Sequence, residues 1–334
     1  TAALSGSSPL EIALWALADA YEQMGLAAGH PGGPHAGARE ESQRHLRHAC
    51  ELRERVLAVR PTDVDTRVGV ARGLALLSQV EPVAEPSLSL IRRSTAMYES
   101  VILARPDDPS LRHDLAYRLT LQASLEAHAG QDPVWRRTMD RSVALLRDLV
   151  REFPTEARWR QTLGVVLGTR ARMRGGDDPA ALVDFAEVRE IMNAMLREDP
   201  SDYTAARHWV RATCAVAAAR ASAGKAGEAM AAVDDAVALQ RRWYTRDPSN
   251  SMHRLDFMEA LLAAATVREV AGMPEAGLPL ATESRSVLLS GRQVEEIVLP
   301  EEVARLRGAE AVIDRLEAAP ARAPSPRGAD GQVR

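Results

Sequence analysis

LARPDDPS, residues 103–110, closes one apolar run with a proline, adds an acidic pair and opens a new amphipathic run. The same punctuation returns as VRPTDVD (59–65), EFPTEAR (152–158), EDPSDYT (198–204) and RDPSNSM (246–252). The junction prolines Pro61, Pro106, Pro154, Pro200 and Pro248 stand 45, 48, 46 and 48 residues apart. Gly130, Gly176, Gly224 and Gly272 fall between or beyond them. The distance from Gly130 to Pro154, from Gly176 to Pro200 and from Gly224 to Pro248 is 24 each time. A fixed period of this length is the mark of a repeat architecture.

Each half-unit reads as a helix. From Trp135, the residues Met139, Val143, Leu146, Leu149 and Phe153 recur at helical spacing, as do Leu111, Leu115, Leu119 and Ala123 in the preceding half. Boundary chemistry agrees. Ser201 and Thr155 are candidate N-caps, TDVD (62–65) has the form of a capping box, and Pro109 suits a first helical turn after Asp108. The midpoint glycines suit a left-handed helix end. One hairpin cannot cover its own apolar face, so neighbours must stack. The expected fold is therefore an all-α solenoid of stacked antiparallel helix hairpins.

Composition fits. The chain has 334 residues, 46% hydrophobic but only 4% aromatic, so alanine, leucine and valine must do most of the packing. A net charge of −4 gives no global electrostatic case for nucleic acid or an anionic membrane. No apolar run approaches the ~20 residues that span a bilayer, and no signal-peptide pattern opens the chain. A cytoplasmic location is the expectation. The chain opens on Thr1, which leaves room for a targeting segment or a catalytic domain upstream.

On these residues the chain resembles the tetratricopeptide repeat family. Gly224, Ala229, Val233 and Ala236, and again Gly176, Ala181, Phe185 and Val188, match the family's glycine, small, large-apolar and small positions. Leu163-Gly164 match its Leu-Gly pair, and Leu14, Leu17, Ala18, Tyr21 and Gly25 resemble a complete first-helix signature. Trp135 and Trp209-Val210 depart from the pattern, and the unit is near 47 residues where the family has 34. Long units with such junctions also resemble, more loosely, repeats that follow the kinase domain in some bacterial serine/threonine kinases. The resemblance implies a right-handed superhelix over residues 1–319, about six helix pairs plus a terminal helix. PARAPSPRGADGQVR (320–334) reads as a disordered tail and GLAAGHPGGPHAGA (25–38) as an irregular loop.

The resemblance further implies a binding groove lined by the first helix of each unit. Carried over position by position, its lining is Arg72, His113, Tyr117, Gln161, Arg207, Arg211 and Glu259, with apolar Val68, Val165 and Leu255 at equivalent places. Such a set suits an acidic peptide, a carboxylate terminus, a partner helix or another copy of the chain; simple solvated helix charges are the alternative. Other chemistry finds little support. His45, His48 and Cys50 near His30 and His35 invite a metal reading, but the spacing does not complete a tetrahedral site. GGDDPAALVD (175–184) lacks the lysine and the strand context of a phosphate loop. Cys214 sits in an alanine-rich helix. The expectation is a non-enzymatic interaction scaffold, without metal or cofactor, in a bacterial signalling protein. A ligand- or nucleic-acid-sensing repeat domain is the alternative.

Overall fold

The computed structural model describes residues 7–29, 38–175, 178–289 and 300–319. Thirteen helices and no strand occur among them: α1 (Pro9–Gly29), α2 (Arg39–Val59), α3 (Val64–Val80), α4 (Ala84–Ala104), α5 (Pro109–His128), α6 (Asp132–Glu152), α7 (Ala157–Arg174), α8 (Pro179–Glu198), α9 (Tyr203–Ser222), α10 (Ala226–Arg246), α11 (Ser251–Val270), α12 (Pro274–Leu289) and α13 (Pro300–Ala318). The first helices of successive pairs begin at Val64, Pro109, Ala157, Tyr203 and Ser251, intervals of 45, 48, 46 and 48 residues. This is a tetratricopeptide-like helical-repeat fold. It divides into two compact units, residues 1–166 and 167–334, the boundary lying within α7. The proposed tail 320–334 lies outside the described residues.

The junction chemistry works, with the cap shifted from the expected residue. Asp63 accepts from the Thr66 N–H at 2.8 Å, Asp108 from Ser110 at 2.9 Å, Asp202 from Ala205 at 2.9 Å and Asn250 from Met252 at 3.0 Å. The cap thus stands two residues after the proline, so neither Thr62 nor Ser201 serves. Ser201 instead turns its N–H to Asp199. A short carboxylate or carboxamide reaches the second or third helical N–H from this extended backbone position better than the preceding hydroxyl does. Pro109 occupies the first turn of α5, as expected.

Hairpin turns at Gly130, Gly224 and Gly272 have φ of +72°, +80° and +76°. The following N–H groups of Gln131, Lys225 and Met273 return to Glu126, Arg220 and Arg268 carbonyls at 2.8–2.9 Å, a left-handed closure that a Cβ would strain. In the fourth hairpin Gly175, directly after α7 ends, is left-handed (φ +87°); Gly176 lies outside the described residues. The hairpin between α3 and α4 has no glycine. There Glu81 is extended ahead of Pro82, the conformation a following proline imposes.

One expectation is corrected at the first hairpin. Residues 25–29 are not loop but the last turn of α1. Gly25 and Gly29 are buried against α2. A Cβ on Gly25 would lie 2.7 Å from Leu46 Cγ, and one on Gly29 2.7 Å from the Ala38 carbonyl carbon. These glycines permit close helix contact instead of breaking the helix. Residues 30–37 lie outside the described set.

In the first unit the core runs from Leu46, Val70, Leu74 and Val80 to Tyr98, Val101, Leu111 and Leu115. In the second, small residues dominate: Ala217, Ala221, Ala229, Ala236, Ala260 and Ala264 pack around Val233, Phe257 and Leu261. Closely spaced alanines let helix axes approach, which suits a core with few aromatics.

Candidate functional site

In the second unit α9 packs against α11 and α11 against α13. Arg207 and Arg211, one turn apart on α9, therefore face Asp256 and Glu259 on α11. Asp256 is 2% exposed. It accepts from Arg207 Nε at 2.8 Å, Arg211 Nη2 at 2.9 Å and the Tyr203 hydroxyl at 2.5 Å. Burial and the hydrogen bond to Asp256 push the Tyr203 phenol up, so it remains a donor. Its ring packs on His253 and Trp243 at centroid distances of 4.4 and 5.1 Å. Arg211 also reaches Glu259 at 3.0 Å, and Arg305 of α13 approaches the other Glu259 oxygen at 3.4 Å.

Two further residues join this row from below the sequence's horizon. On α7 of the same unit, Gly168 presents no side chain; a Cβ there would meet Arg172 Nη1 at 3.7 Å and His208 Nδ1 at 3.9 Å. Arg172 is exposed over its length, but partial loss of water around the guanidinium first, and the like charges of Arg211 and Arg207 second, lower its pKa. Burial first, then Arg172, Arg211 and Arg207, push His208 down to about 4, so its imidazole is neutral near pH 7. Arg172, Arg207 and Arg211 thus lie beside the carboxylates of Asp256 and Glu259, with Arg305 at the edge of the row.

The other groove residues lie in the first unit. Arg72 is bonded to Glu22 at 2.8 Å, and Glu22 is in turn buried against Arg53. His113 stands 3.0 Å from the Thr162 hydroxyl, with its ring 4.7 Å from Trp159. Tyr117 is exposed beneath the Arg118 guanidinium, and Gln161 is half-buried on α7. The structure thus joins Arg207, Arg211 and Glu259 into one array, while Arg72 is already neutralised by a buried carboxylate. Asp256, which holds both arginines, and the nearby Arg172 are missing from the sequence-derived set. The i, i+3 spacing of Asp256 and Glu259 opposite Arg207 and Arg211 was the available signal.

Two hollows flank α9. A small cavity of about 170 Å³ is lined by Val210, Arg211, Cys214, Gln240, Asp256, Glu259 and Ala260. Gln240 is fully buried there, and neither atom of its amide has a partner among the described residues. On the opposite side, α8 and α10 leave an open cleft of about 1130 Å³ over Trp209, Leu196 and Val237, rimmed by Asp235, Arg241 and Arg242. Trp209, standing where a leucine is expected, is the bulky floor of this cleft.

Nucleophilic chemistry has poor prospects on either cysteine. Burial pushes both thiols up to about 12, which leaves almost no thiolate near pH 7. His45 and His48 both flank the Tyr21 ring, at 5.8 and 5.4 Å, and approach Glu41 and Glu51. Cys50 is buried facing Gly73, so it does not share their surroundings. Among the described residues no group of three or more His, Cys, Asp or Glu side chains converges for a metal ion, and no helix is long and apolar enough to cross a membrane.

No protein-family model matches the chain, and no curated protein matches it. Similar solved structures exist. The Schizosaccharomyces pombe nuclear import adaptor Nro1 superposes with a TM-score of 0.50 over 89% of this chain and 98% of its own, at 13% identity. BtubC from P. vanneervenii gives 0.45 over 89% and 98% at 16% identity, and a tetratricopeptide repeat protein from Parabacteroides merdae 0.37 over 91% and 100% at 10%. At 13% identity, the likeness to Nro1 is one of helical fold.

Proposed function

We propose that the chain is a non-enzymatic interaction scaffold whose α9–α11–α13 face takes up an acidic peptide segment or a terminal carboxylate. The three guanidiniums of Arg172, Arg207 and Arg211 gathered beside Asp256 and Glu259 carry this reading. Arginines held side by side by a shared buried carboxylate are pre-positioned, so a bidentate carboxylate guest gains two charge-assisted bonds without ordering the side chains itself. Arg172 stands at the exposed edge of the row, where desolvation of its guanidinium first and the like charges of Arg211 and Arg207 second favour an incoming anion. His113, Tyr117 and Gln161 lie on a second stretch of first-helix surface in the first unit, where Arg72 is already paired with Glu22. In this reading the repeats over 1–319 act as the interaction module of a larger cytoplasmic bacterial signalling protein. The unit of about 47 residues resembles the repeats that follow some bacterial kinase domains.

The test uses a fluorescein-labelled peptide of four glutamates with a free C-terminal carboxylate, read by anisotropy at low and physiological salt. The intact chain binds it, and Arg172→Ala weakens binding by about fivefold, the worth of one partly screened charge contact. Equal binding by the variant would remove the array from the function. Tighter binding of a single-stranded RNA of equal charge would favour nucleic-acid sensing.

The α8–α10 cleft supports a second reading, a small-ligand sensor. Its size suits a drug-sized guest, and Trp209 offers a flat apolar floor. Quenching of tryptophan fluorescence by amphiphilic anions, abolished in Trp209→Leu, would select it.

A further inference from the structure

Among the described residues, the outer face of α1 is exposed and carries mostly apolar side chains. Leu10, Ala13, Leu17, Ala20, Met24 and Ala27 are all exposed and follow one another at spacings of 3, 4, 3, 4 and 3. Leu10 is 66%, Leu17 47% and Met24 49% exposed. Successive residues advance by about 100°, so these six form one apolar seam along the helix. Ile12 and Ala16 widen it, and only Asp19 and Gln23 interrupt the exposed arc with polar groups. The Asp19 carboxylate at its border is already bound to Arg53 at 2.7 Å. The buried residues Ala18, Glu22, Gly25 and Gly29 lie on the other side of the helix and face α2.

We infer that α1 is a self-association surface, pairing antiparallel with α1 of a second copy of this chain about a two-fold axis. The order of side-chain sizes selects that occupant and that direction. A two-fold axis midway between Leu17 and Ala20 sets Leu10 against Ala27, Leu17 against Ala20, and Met24 against Ala13. Every large side chain meets a small one, the condition for interdigitated helix packing. A parallel pairing would instead set Leu17 on Leu17 and Ala20 on Ala20, alternating clashes with gaps. No like charges face one another across the antiparallel seam. A helix of 21 residues is about 31 Å long. Pairing two of them buries roughly 900 Å² in total, near the ~1,000 Å² of a specific interface, so a dimer with a Kd in the micromolar range is expected.

The experiment is sedimentation velocity on the full chain from about 1 to 200 µM, bracketing that Kd. The chain dimerises across this range, and Leu17→Glu shifts dissociation by at least tenfold while its circular dichroism is unchanged, since Leu17 is half exposed. A mixture of the Leu17→Glu chain with the Ala20→Arg chain restores a dimer that neither forms alone, because residue 17 of one copy meets residue 20 of the other. A wild-type monomer at the highest concentration overturns the inference, as does a dimer indifferent to Leu17→Glu. Rescue by Leu17→Arg rather than Ala20→Arg would also overturn it, because that pairing is parallel.

Discussion

Asp256→Ala separates stability from binding at the arginine array. The carboxylate is buried and receives Arg207, Arg211 and the Tyr203 hydroxyl. Removing one partner of a buried ion pair costs about 3–5 kcal/mol, because the remaining charge is left uncompensated. Two features reduce that figure. Both arginine side chains are 28% exposed, and Arg211 keeps Glu259. A loss of about 2–3 kcal/mol is expected, which for a unit of this size lowers the thermal midpoint by roughly 5–10 °C. Asp256→Asn keeps one acceptor and should cost about 1–2 kcal/mol. The array then keeps its guanidiniums but loses one carboxylate. Affinity for the tetraglutamate peptide should rise by about fivefold at low salt, the worth of one charge at contact distance in water. Midpoint and anisotropy are measured on the same preparation, well below the transition. An unchanged midpoint would refute the account of Asp256 as the organising carboxylate. A folded variant with weaker peptide binding would refute the electrostatic reading of the face.

Two further outcomes follow from the same geometry. His208 is held neutral down to about pH 4, whereas an unfolded histidine titrates near 6.5. Its contribution is therefore complete above about pH 6.5 and is lost as pH falls towards 4, at up to about 1.4 kcal/mol per pH unit; chemical denaturation of His208→Gln should show a flatter profile than wild type across that window only. Gly29→Ala should destabilise the first hairpin by about 2 kcal/mol or more, because the new Cβ meets backbone atoms of Ala38 at 2.7–2.8 Å, while Gly227→Ala in open space should be neutral or stabilising by up to about 1 kcal/mol. Equal midpoints for the two glycine variants would show that α1 and α2 do not close as described.

The repeat was legible because its punctuation is local chemistry. Proline at 61, 106, 200 and 248 forbids continuation of a helix, and an Asp or Asn two residues later caps the next one. Left-handed turns demand glycine, so Gly130, Gly224 and Gly272 could be located from spacing alone. The misses are glycines and caps whose job depends on something distant. Gly25 and Gly29 read as loop formers because glycine usually is one, yet they lie in a helix whose neighbour α2 comes close. Whether a glycine breaks a helix or admits another is decided by tertiary contact, which spacing does not encode.

The site was only half legible for a related reason. Family position pointed to Arg207, Arg211 and Glu259 because each sits on a first helix at a recurring place. It had no means to separate a free charge from a spent one. Arg72 occupies such a place but is spent on Glu22, a residue 50 positions earlier on α1. Asp256 is hidden in the core, where a carboxylate is expected only with partners, and its partners lie two helices away in sequence. Arg172 gains its character from residues 35 and 39 positions later, through a gap that Gly168 leaves open. Charge balance is a property of adjacent helices taken together. Arg72 is balanced by Glu22 alone, whereas Arg207 and Arg211 share Asp256 between them.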